Sequence, residues 1–189
     1  DQVYQITGEG YAPAGGILRN GQTLAAGADP LLTAFARAAY WCNDARLHEQ
    51  EGQWCTEGDP MEGALLALAG KISGQGGQAF GGHTRLDAVP FDAAHRYMAV
   101  LSLDSDGLPH IYVKGAPEAL LAMCAQQRTP EGNAPLDADY WLQQVEKLAE
   151  KGRRVLAVAE RAAAAGQTAL SSADIAQSLQ FIGLVGLID

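Results

Sequence analysis

The sequence predicts an α+β fold in which a largely antiparallel β-sheet is flanked by helices. Two apolar segments, Tyr97–Leu103 and Ile111–Lys114, are joined by a short turn at residues 104–107, which is typical of antiparallel strand pairing. Two Asp-Pro pairs, Asp29-Pro30 and Asp59-Pro60, have the form of an N-cap followed by proline at the first helical position. Strands that adjoin through short turns, together with separate helical segments, favour the α+β class.

The first half of the chain predicts short strands followed by two helices. Val3–Thr7 has the alternation of a strand, and Asn20-Gly21 lies between two short apolar segments as a hairpin turn does. The helices are predicted from Asp29 to about residue 42 and from Asp59 to about residue 71. The composition of Ser73–Gly82 predicts a flexible loop.

The second half predicts a sheet accompanied by two further helices. The predicted strands are Arg85–Phe91, Tyr97–Leu103, Ile111–Lys114, Val155–Arg161 and Phe181–Ile188. Pro117 opens a helix that ends near residues 124–127, and Asp137 caps another helix that ends just before Gly152. No internal repeat is visible, and residues 1–189 are predicted to form a single domain.

The composition is that of an ordinary globular chain. Of its 189 residues, 48% are hydrophobic and 19% are charged, which excludes the disordered class. A net charge of −9 with only 13 basic residues argues against nucleic acid and anionic membrane surfaces as partners. No apolar run approaches the roughly 20 residues that span a bilayer, so we expect a soluble chain that does not insert into a membrane. Its three cysteines include no C-x-x-C pair, which argues against a disulfide scaffold and a zinc site.

The segment Tyr112–Glu118 places a lysine and a glycine between an apolar strand and a proline-started helix. Lys114 ends the strand, and Gly115 lacks a Cβ, so the backbone there can approach a ligand closely. A lone cation at such a junction can face an anionic or aromatic ligand. The alternative is a plain strand–turn–helix connection with an exposed lysine. The full string Lys-Gly-Ala-Pro-Glu resembles the nucleotide-domain signature of P-type cation-transporting ATPases, nearest the calcium-pump-like branch.

This resemblance implies that Lys114 and Gly115 line an ATP pocket beside the adenine. Residues 90–98 resemble a second segment of the family, whose aromatic ring stacks on adenine, and Phe91 occupies that position. The alternative for a phenylalanine at a strand end is a place in the core. Arg96 stands where the family has a lysine, and arginine keeps the positive charge of that lysine. The resemblance implies that the residue at this position contacts the phosphates.

Glu62 and Arg161 complete the ATP-binding set that the resemblance implies. Residues 58–65 resemble the family's Gly-Asp-Pro-x-Glu-x-Ala-Leu motif, whose glutamate contacts the adenine amino group, and Glu62 matches that glutamate. The alternative is a capping box, in which Asp59 is the N-cap and Glu62 lies three residues later. Arg161 matches an arginine that contacts the phosphates, although an arginine at a strand end is also typical of a solvated surface.

The resemblance covers nearly the whole chain and implies its role. The sequence has no Asp-Lys-Thr-Gly-Thr motif, which carries the phosphorylated aspartate, and no Walker-type phosphate loop. No catalytic residue and no metal ligand is therefore assigned, and we expect the isolated chain to be inactive. We expect it to bind ATP within a multi-pass pump, on the cytoplasmic side of a membrane. Its partners would be the phosphorylation and actuator domains of that pump, with the Mg²⁺ of Mg-ATP bound mainly outside this chain. The alternative, favoured by Arg96 in place of lysine, is a non-catalytic interaction or regulatory module that keeps the fold without binding nucleotide.

We predict that Glu62 makes the chain prefer ATP over GTP by roughly tenfold, a factor that corresponds to about 1.4 kcal/mol. Adenine presents an amino donor where guanine presents a carbonyl acceptor, so a carboxylate accepts from the first and faces the lone pairs of the second. Glu62→Ala should weaken ATP binding and leave GTP binding nearly unchanged. Titrations with both nucleotides measure this, after circular dichroism has established that the variant folds. Equal affinities in the wild-type chain would leave Glu62 as a capping residue only.

Overall fold

The computed structural model describes residues 2–76 and 79–188, and the chain divides into two compact units, Asp1–Gly81 and Gly82–Asp189. The first unit contains two small antiparallel sheets and two helices. Its elements are β1 (Tyr4–Ile6), β2 (Ile17–Arg19), β3 (Gln22–Leu24), α1 (Pro30–Trp41), β4 (Arg46–Gln50), β5 (Gln53–Glu57) and α2 (Pro60–Ser73). The predicted first strand, the hairpin at Asn20-Gly21 and both helices are confirmed.

Both helices of the first unit begin at the predicted aspartate caps. The carboxylates of Asp29 and Asp59 each accept hydrogen bonds from the backbone N–H groups of the second and third helical residues. Helix α2 is followed by Gly74, whose φ of 69° is the left-handed geometry that glycine tolerates at a helix end. Within the predicted loop Ser73–Gly82, residues 77 and 78 lie outside the described residues.

The β4–β5 hairpin is an element that the sequence did not predict. Its two strands carry polar residues on both faces, so they lack the apolar alternation that signals a half-buried strand. The connecting residues Glu51 and Gly52 have φ values of 53° and 77°, as in a two-residue hairpin loop. The hairpin packs against α2, and this tertiary contact has no counterpart in the local sequence pattern.

The second unit is built on one seven-stranded sheet with the strand order β10-β9-β12-β11-β8-β7-β6. Neighbouring strands are antiparallel, except that β12 and β9 are parallel. The elements are β6 (Thr84–Asp92), β7 (Tyr97–Leu103), β8 (Pro109–Gly115), α3 (Pro117–Met123), β9 (Cys124–Thr129), β10 (Gly132–Pro135), α4 (Ala138–Ala149), β11 (Arg154–Ala162), α5 (Ser172–Ile175) and β12 (Leu179–Leu187). The predicted α+β class, a largely antiparallel sheet flanked by helices, is confirmed.

Two strands and one short helix of this unit differ from the prediction. The helix opened by Pro117 ends at Met123, and β9 begins at the next residue, where the sequence predicted the end of the helix. Strand β10 and helix α5 have four residues each, too few for an apolar period to be detected. Strand β10 forms by pairing with β9, a contact that local sequence does not reveal.

One face of the sheet packs against α3 and α4 and forms the core of the second unit. The fully buried aliphatic side chains of this core come from β7, β8, β11, β12, α3 and α5: Ala99, Leu101, Ile111, Val113, Leu120, Ala157, Ala159, Ile175 and Leu179. Trp141 of α4 packs on Phe181 of β12, with ring centroids 4.8 Å apart. Because side chains alternate along a strand, the intervening residues of β7, β8 and β11 lie on the opposite face.

The opposite face carries an ionic network centred on Glu160, which is only 4% exposed. One oxygen of this carboxylate accepts a hydrogen bond from the guanidinium group of Arg128. The other oxygen lies 3.2 Å from Nε2 of His110. A buried charge is costly unless it is paired and hydrogen-bonded. The network therefore links β8, β11 and β9 through a carboxylate that depends on both partners.

We predict that Arg128→Met lowers the free energy of unfolding by about 3 kcal/mol, because it removes one partner of a buried carboxylate. The double variant Arg128→Met with Glu160→Leu should recover most of this loss, since removing both charges of a buried pair is often neutral. Urea denaturation followed by circular dichroism measures both values. Equal stabilities of the single variant and the wild-type chain would mean that Glu160 does not depend on Arg128.

Candidate functional site

Three strands of the second unit bring Phe91, Met98 and Lys114 to one face of the sheet. Met98 of β7 pairs directly with Lys114 of β8, so their side chains lie on the same side. The β6–β7 register shifts just before Asp92, which pairs with Tyr97 on the core face. Val89 pairs with Ala99 and Asp92 with Tyr97, so the shift leaves the two residues Pro90 and Phe91 opposite the single residue Met98, as in a β-bulge, on the side of Met98 and Lys114. The backbones of β6 and β8 are two strand spacings apart, about 10 Å, so one ligand can reach both strands.

The ring of Phe91 is open to solvent. Its exposed fraction is 63%, which excludes the alternative that this residue belongs to the core. A stacking interaction with a planar ligand requires a free ring face. The side chain of Phe91 meets that requirement at the end of β6.

Lys114 is buried, with an exposed fraction of 6%, so the alternative of an exposed turn lysine is wrong. Its partners in the two neighbouring strands are Met98 and Val158, and both are buried. The aliphatic part of the lysine therefore lies between two apolar side chains. Burial of the methylene stem between these neighbours restricts the region that the ammonium group can occupy to the end of β8.

Gly115 is needed for a close approach between two backbone segments. A Cβ at this position would lie 2.3 Å from the carbonyl oxygen of Arg96 and 2.7 Å from the Cα of Tyr97. Cβ atoms in proteins essentially never come closer than 3.0 Å to a heavy atom of a residue that is not adjacent in the chain. The structure thus places the chain's own backbone, at Arg96 and Tyr97, against this position, and the contact of Gly115 with a nucleotide stays a prediction.

The turn between β6 and β7 is organised by Asp92. Its carboxylate accepts hydrogen bonds from the backbone N–H groups of Ala94 and His95, at 2.8 and 3.1 Å. These bonds, first that from His95 and then that from Ala94, lower the pKa of the Asp92 carboxyl below its usual value. The backbone N–H of Arg96 donates to the Asp92 carbonyl oxygen at 2.6 Å. The turn therefore gives a fixed geometry to the chain between Phe91 and Arg96.

Arg96 projects a guanidinium group from the end of this turn. Its Nη1 lies 3.9 Å from a carboxylate oxygen of Glu118 in the first turn of α3. The two side chains are 55% and 54% exposed, and ion pairs this exposed contribute about 0–1 kcal/mol. The guanidinium of Arg96 is therefore accessible to an anionic ligand.

Arg161 does not join the other residues of this face. It pairs with Ile111, a core residue of β8, so its side chain leaves the sheet on the side opposite to Lys114. Its Nη1 donates to the backbone carbonyl of Asp174 at 2.8 Å, and its Nε donates to the carbonyl of Ala162 at 3.3 Å. The phosphate contact implied by the resemblance stays a prediction for this residue.

Glu62 lies in the first turn of α2, in the first unit. Its carboxylate oxygen Oε2 accepts a hydrogen bond from the backbone N–H of Asp44 at 3.2 Å. Its carbonyl oxygen accepts from Nδ2 of Asn43 at 3.0 Å. These bonds connect the start of α2 to the segment before β4, and the predicted N-cap Asp59 is confirmed. The contact of Glu62 with an adenine amino group stays a prediction.

Sequence reasoning gave no role to Met98 and Glu118. Met98 belongs to the segment around Phe91, but its place beside Lys114 depends on the β7–β8 register, which a motif does not encode. Glu118 belongs to the Lys-Gly-Ala-Pro-Glu segment, and its approach to Arg96 depends on where α3 begins relative to the turn. No sequence pattern around Met98 or Glu118 predicts which residues lie next to them in space.

The second unit thus combines an exposed aromatic ring, a buried lysine and an exposed guanidinium. This combination suits a ligand with a planar part and an anionic part, because the ring offers a stacking surface and the cations attract negative charge. Among residues 2–76 and 79–188, no three His, Cys, Asp or Glu side chains are grouped as metal ligands. In the same part of the chain, no helix has the length and apolar character that crossing a membrane requires.

Comparisons with known proteins agree with the resemblance seen in the sequence. Residues 31–189 match the family described as P-type ATPase, cytoplasmic domain N. The chain is 35% identical to a protein of Synechocystis sp. named cation-transporting ATPase pma1, over 98% of this chain and 21% of that protein. It is 28% identical to a calcium-transporting ATPase of Bacillus subtilis, over 100% of this chain and 21% of that protein.

A third relative is the probable cation-transporting ATPase F of Mycobacterium tuberculosis, which is 32% identical over 98% of this chain and 21% of that protein. The chain therefore spans about a fifth of the length of these curated relatives.

We predict that Phe91→Ala changes the free energy of unfolding by no more than about 0.5 kcal/mol, as is usual for surface substitutions. The matched variant is Phe181→Ala, whose ring is 0% exposed and whose removal should cost about 3–5 kcal/mol. Chemical denaturation of both variants provides the comparison. A loss for Phe91→Ala as large as that for Phe181→Ala would contradict the exposed position of the Phe91 ring.

Proposed function

Because the chain belongs to the family of P-type ATPase cytoplasmic N domains, we propose that it binds ATP and holds the nucleotide for phosphoryl transfer elsewhere in a pump. The observation that carries this proposal is the exposed Phe91 ring on the same sheet face as Lys114. Stacking of a base on an aromatic ring contributes about 1–3 kcal/mol. Phe91 is the residue of this face that can stack on the adenine.

Lys114 and Arg96 supply the positive charge in this proposal. Lys114 is buried beside Met98, and its ammonium group would lie beside the adenine and orient the base. Arg96 is more than half exposed at the end of the turn that follows β6, so its guanidinium would meet the phosphates. A guanidinium can form two parallel hydrogen bonds with a phosphate, whereas the lysine usual in the family acts as a point charge.

In this mechanism the chain contributes positioning. Stacking on Phe91 and the contact with Arg96 would fix the two ends of the nucleotide. Holding the nucleotide in this way reduces the entropic cost of orienting it for phosphoryl transfer. The γ-phosphate would then be presented to an aspartate in a separate phosphorylation domain of the same pump. We propose that this transfer, together with movements of an actuator domain, drives cation transport, with the present domain on the cytoplasmic side of the membrane.

The donor set of the proposed site does not fit a dedicated Mg²⁺ site. Mg²⁺ is usually held by one or two carboxylates together with substrate phosphates and water. The charged groups assigned here are Lys114 and Arg96, and the nearby carboxylate of Glu118 lies against Arg96. We therefore place the protein ligands of Mg²⁺ outside this chain and assign no step to the metal.

We predict that the wild-type chain binds ATP reversibly and that Phe91→Ala weakens this binding by about 1–3 kcal/mol, because the stacking surface is lost. The matched control is Leu108→Ala. Leu108 is 62% exposed, close to the 63% of Phe91, but it lies at the β7–β8 turn. NMR titration with ATP measures the three affinities, and Leu108→Ala should bind as the wild-type chain does.

Phosphate release is measured in the same samples and should not exceed that of a buffer control, since the chain has no phosphorylated aspartate motif. Absence of ATP binding by the folded wild-type chain would favour the non-catalytic module over a nucleotide domain. Weakening of equal size in Phe91→Ala and Leu108→Ala would remove Phe91 from the site.

A further inference from the structure

We infer that Gly115 is a positioning residue for the nucleotide site, and that it acts through the turn of Phe91 and Arg96 without touching the ligand. This inference rests on the proposed ATP-binding function. It concerns how the chain holds the Phe91 ring and the Arg96 guanidinium in place, since Phe91 lies at the end of β6 just before the turn and Arg96 lies at the end of the turn.

The first observation is the absence of space at position 115. Gly115 is buried, and its hypothetical Cβ would meet the Arg96 carbonyl oxygen at 2.3 Å and the Tyr97 Cα at 2.7 Å. Both obstructing atoms belong to the backbone, so no flexible side chain can move aside. A side chain at this position would therefore displace the start of β7 and, with it, the turn.

The second observation is the hydrogen bond that this close approach permits. The backbone N–H of Ala116 donates to the carbonyl oxygen of Arg96 at 2.9 Å. The N–H of Arg96 donates to the carbonyl oxygen of Asp92 at 2.6 Å, so both backbone polar groups of Arg96 are bound. These bonds join the turn at one end to β6 and at the other end to the junction of β8 and α3.

The third observation is the conformation of Arg96 itself. Its φ is 61°, in the left-handed region that residues other than glycine seldom adopt. Such a conformation persists where the surrounding contacts determine it. The Ala116 N–H is one of these contacts, so loss of the bond should release Arg96 toward ordinary backbone angles and redirect its side chain.

The experiment combines Gly115→Ala with the double variant Phe91→Ala, Arg96→Ala in a mutant cycle read by NMR titration with ATP. Gly115→Ala should weaken ATP binding at least fivefold in the wild-type chain. In the chain that carries Phe91→Ala and Arg96→Ala the same substitution should weaken binding less than twofold, because both groups that Gly115 positions are already absent. A weakening of equal size in both backgrounds would overturn the inference and indicate a direct contact of Gly115 with the nucleotide.

A second pair of variants tests the hydrogen bond in case Gly115→Ala does not fold. Ala116 has a φ of −62°, which proline adopts without change, so Ala116→Pro removes the N–H donor with little effect on the local backbone angle. Ala116→Ser is the matched control, since it keeps the donor at a helix N-cap position that suits serine.

Ala116→Pro should weaken ATP binding at least fivefold, and Ala116→Ser should bind within twofold of the wild-type chain. Unchanged affinity in Ala116→Pro would overturn the inference while leaving the ATP-binding proposal intact. The wild-type titration separates the two, because a wild-type chain that does not bind ATP contradicts the proposed function itself.

Discussion

In the second unit, β7 and β8 pair with Met98 opposite Lys114, and this register decides which side chains face the core. A slip of one residue would turn Ile111 and Val113 away from the core and direct Lys114 into it. Exposing two aliphatic side chains loses hydrophobic stabilisation, and placing an ammonium group in an apolar core is costly. The core and the candidate site therefore enforce the same register. Gly115 lets this register continue to the end of β8, because it leaves room for the backbone of β7.

The charges of the candidate site differ in sign from the charge of the whole chain. The net charge is −9, yet the charged groups that we propose for the ATP site are the cations Lys114 and Arg96. The field of exposed charges decays over about 8 Å at physiological salt, so a bound phosphate responds mainly to nearby cations. The buried carboxylate of Glu160 on the same sheet face is paired with Arg128, which limits its effect on an anionic ligand.

The predicted helices and strands that the structure confirms are marked by local sequence features, such as a cap, a proline or a turn, within or next to the element. The helices at Asp29 and Asp59 have a cap and a proline in consecutive positions, and the strands of β7 and β8 are apolar and separated by a tight turn. The β4–β5 hairpin and strands β9 and β10 lack such signals. They are polar or short, and they form because neighbouring segments complete their hydrogen bonds and packing.

The sequence by itself selected the residues proposed for the site, because the family resemblance resides in short segments such as the one from Lys114 to Glu118. Tertiary structure decided where the side chain of each of these residues lies. It exposes Phe91, buries Lys114, brings Glu118 to Arg96 and directs Arg161 to the opposite face. The physical reason is that the exposure of a side chain, and the sheet face on which it lies, depend on strand register and on β-bulges. These are fixed by backbone hydrogen bonds between segments far apart in the chain, which a local motif does not contain.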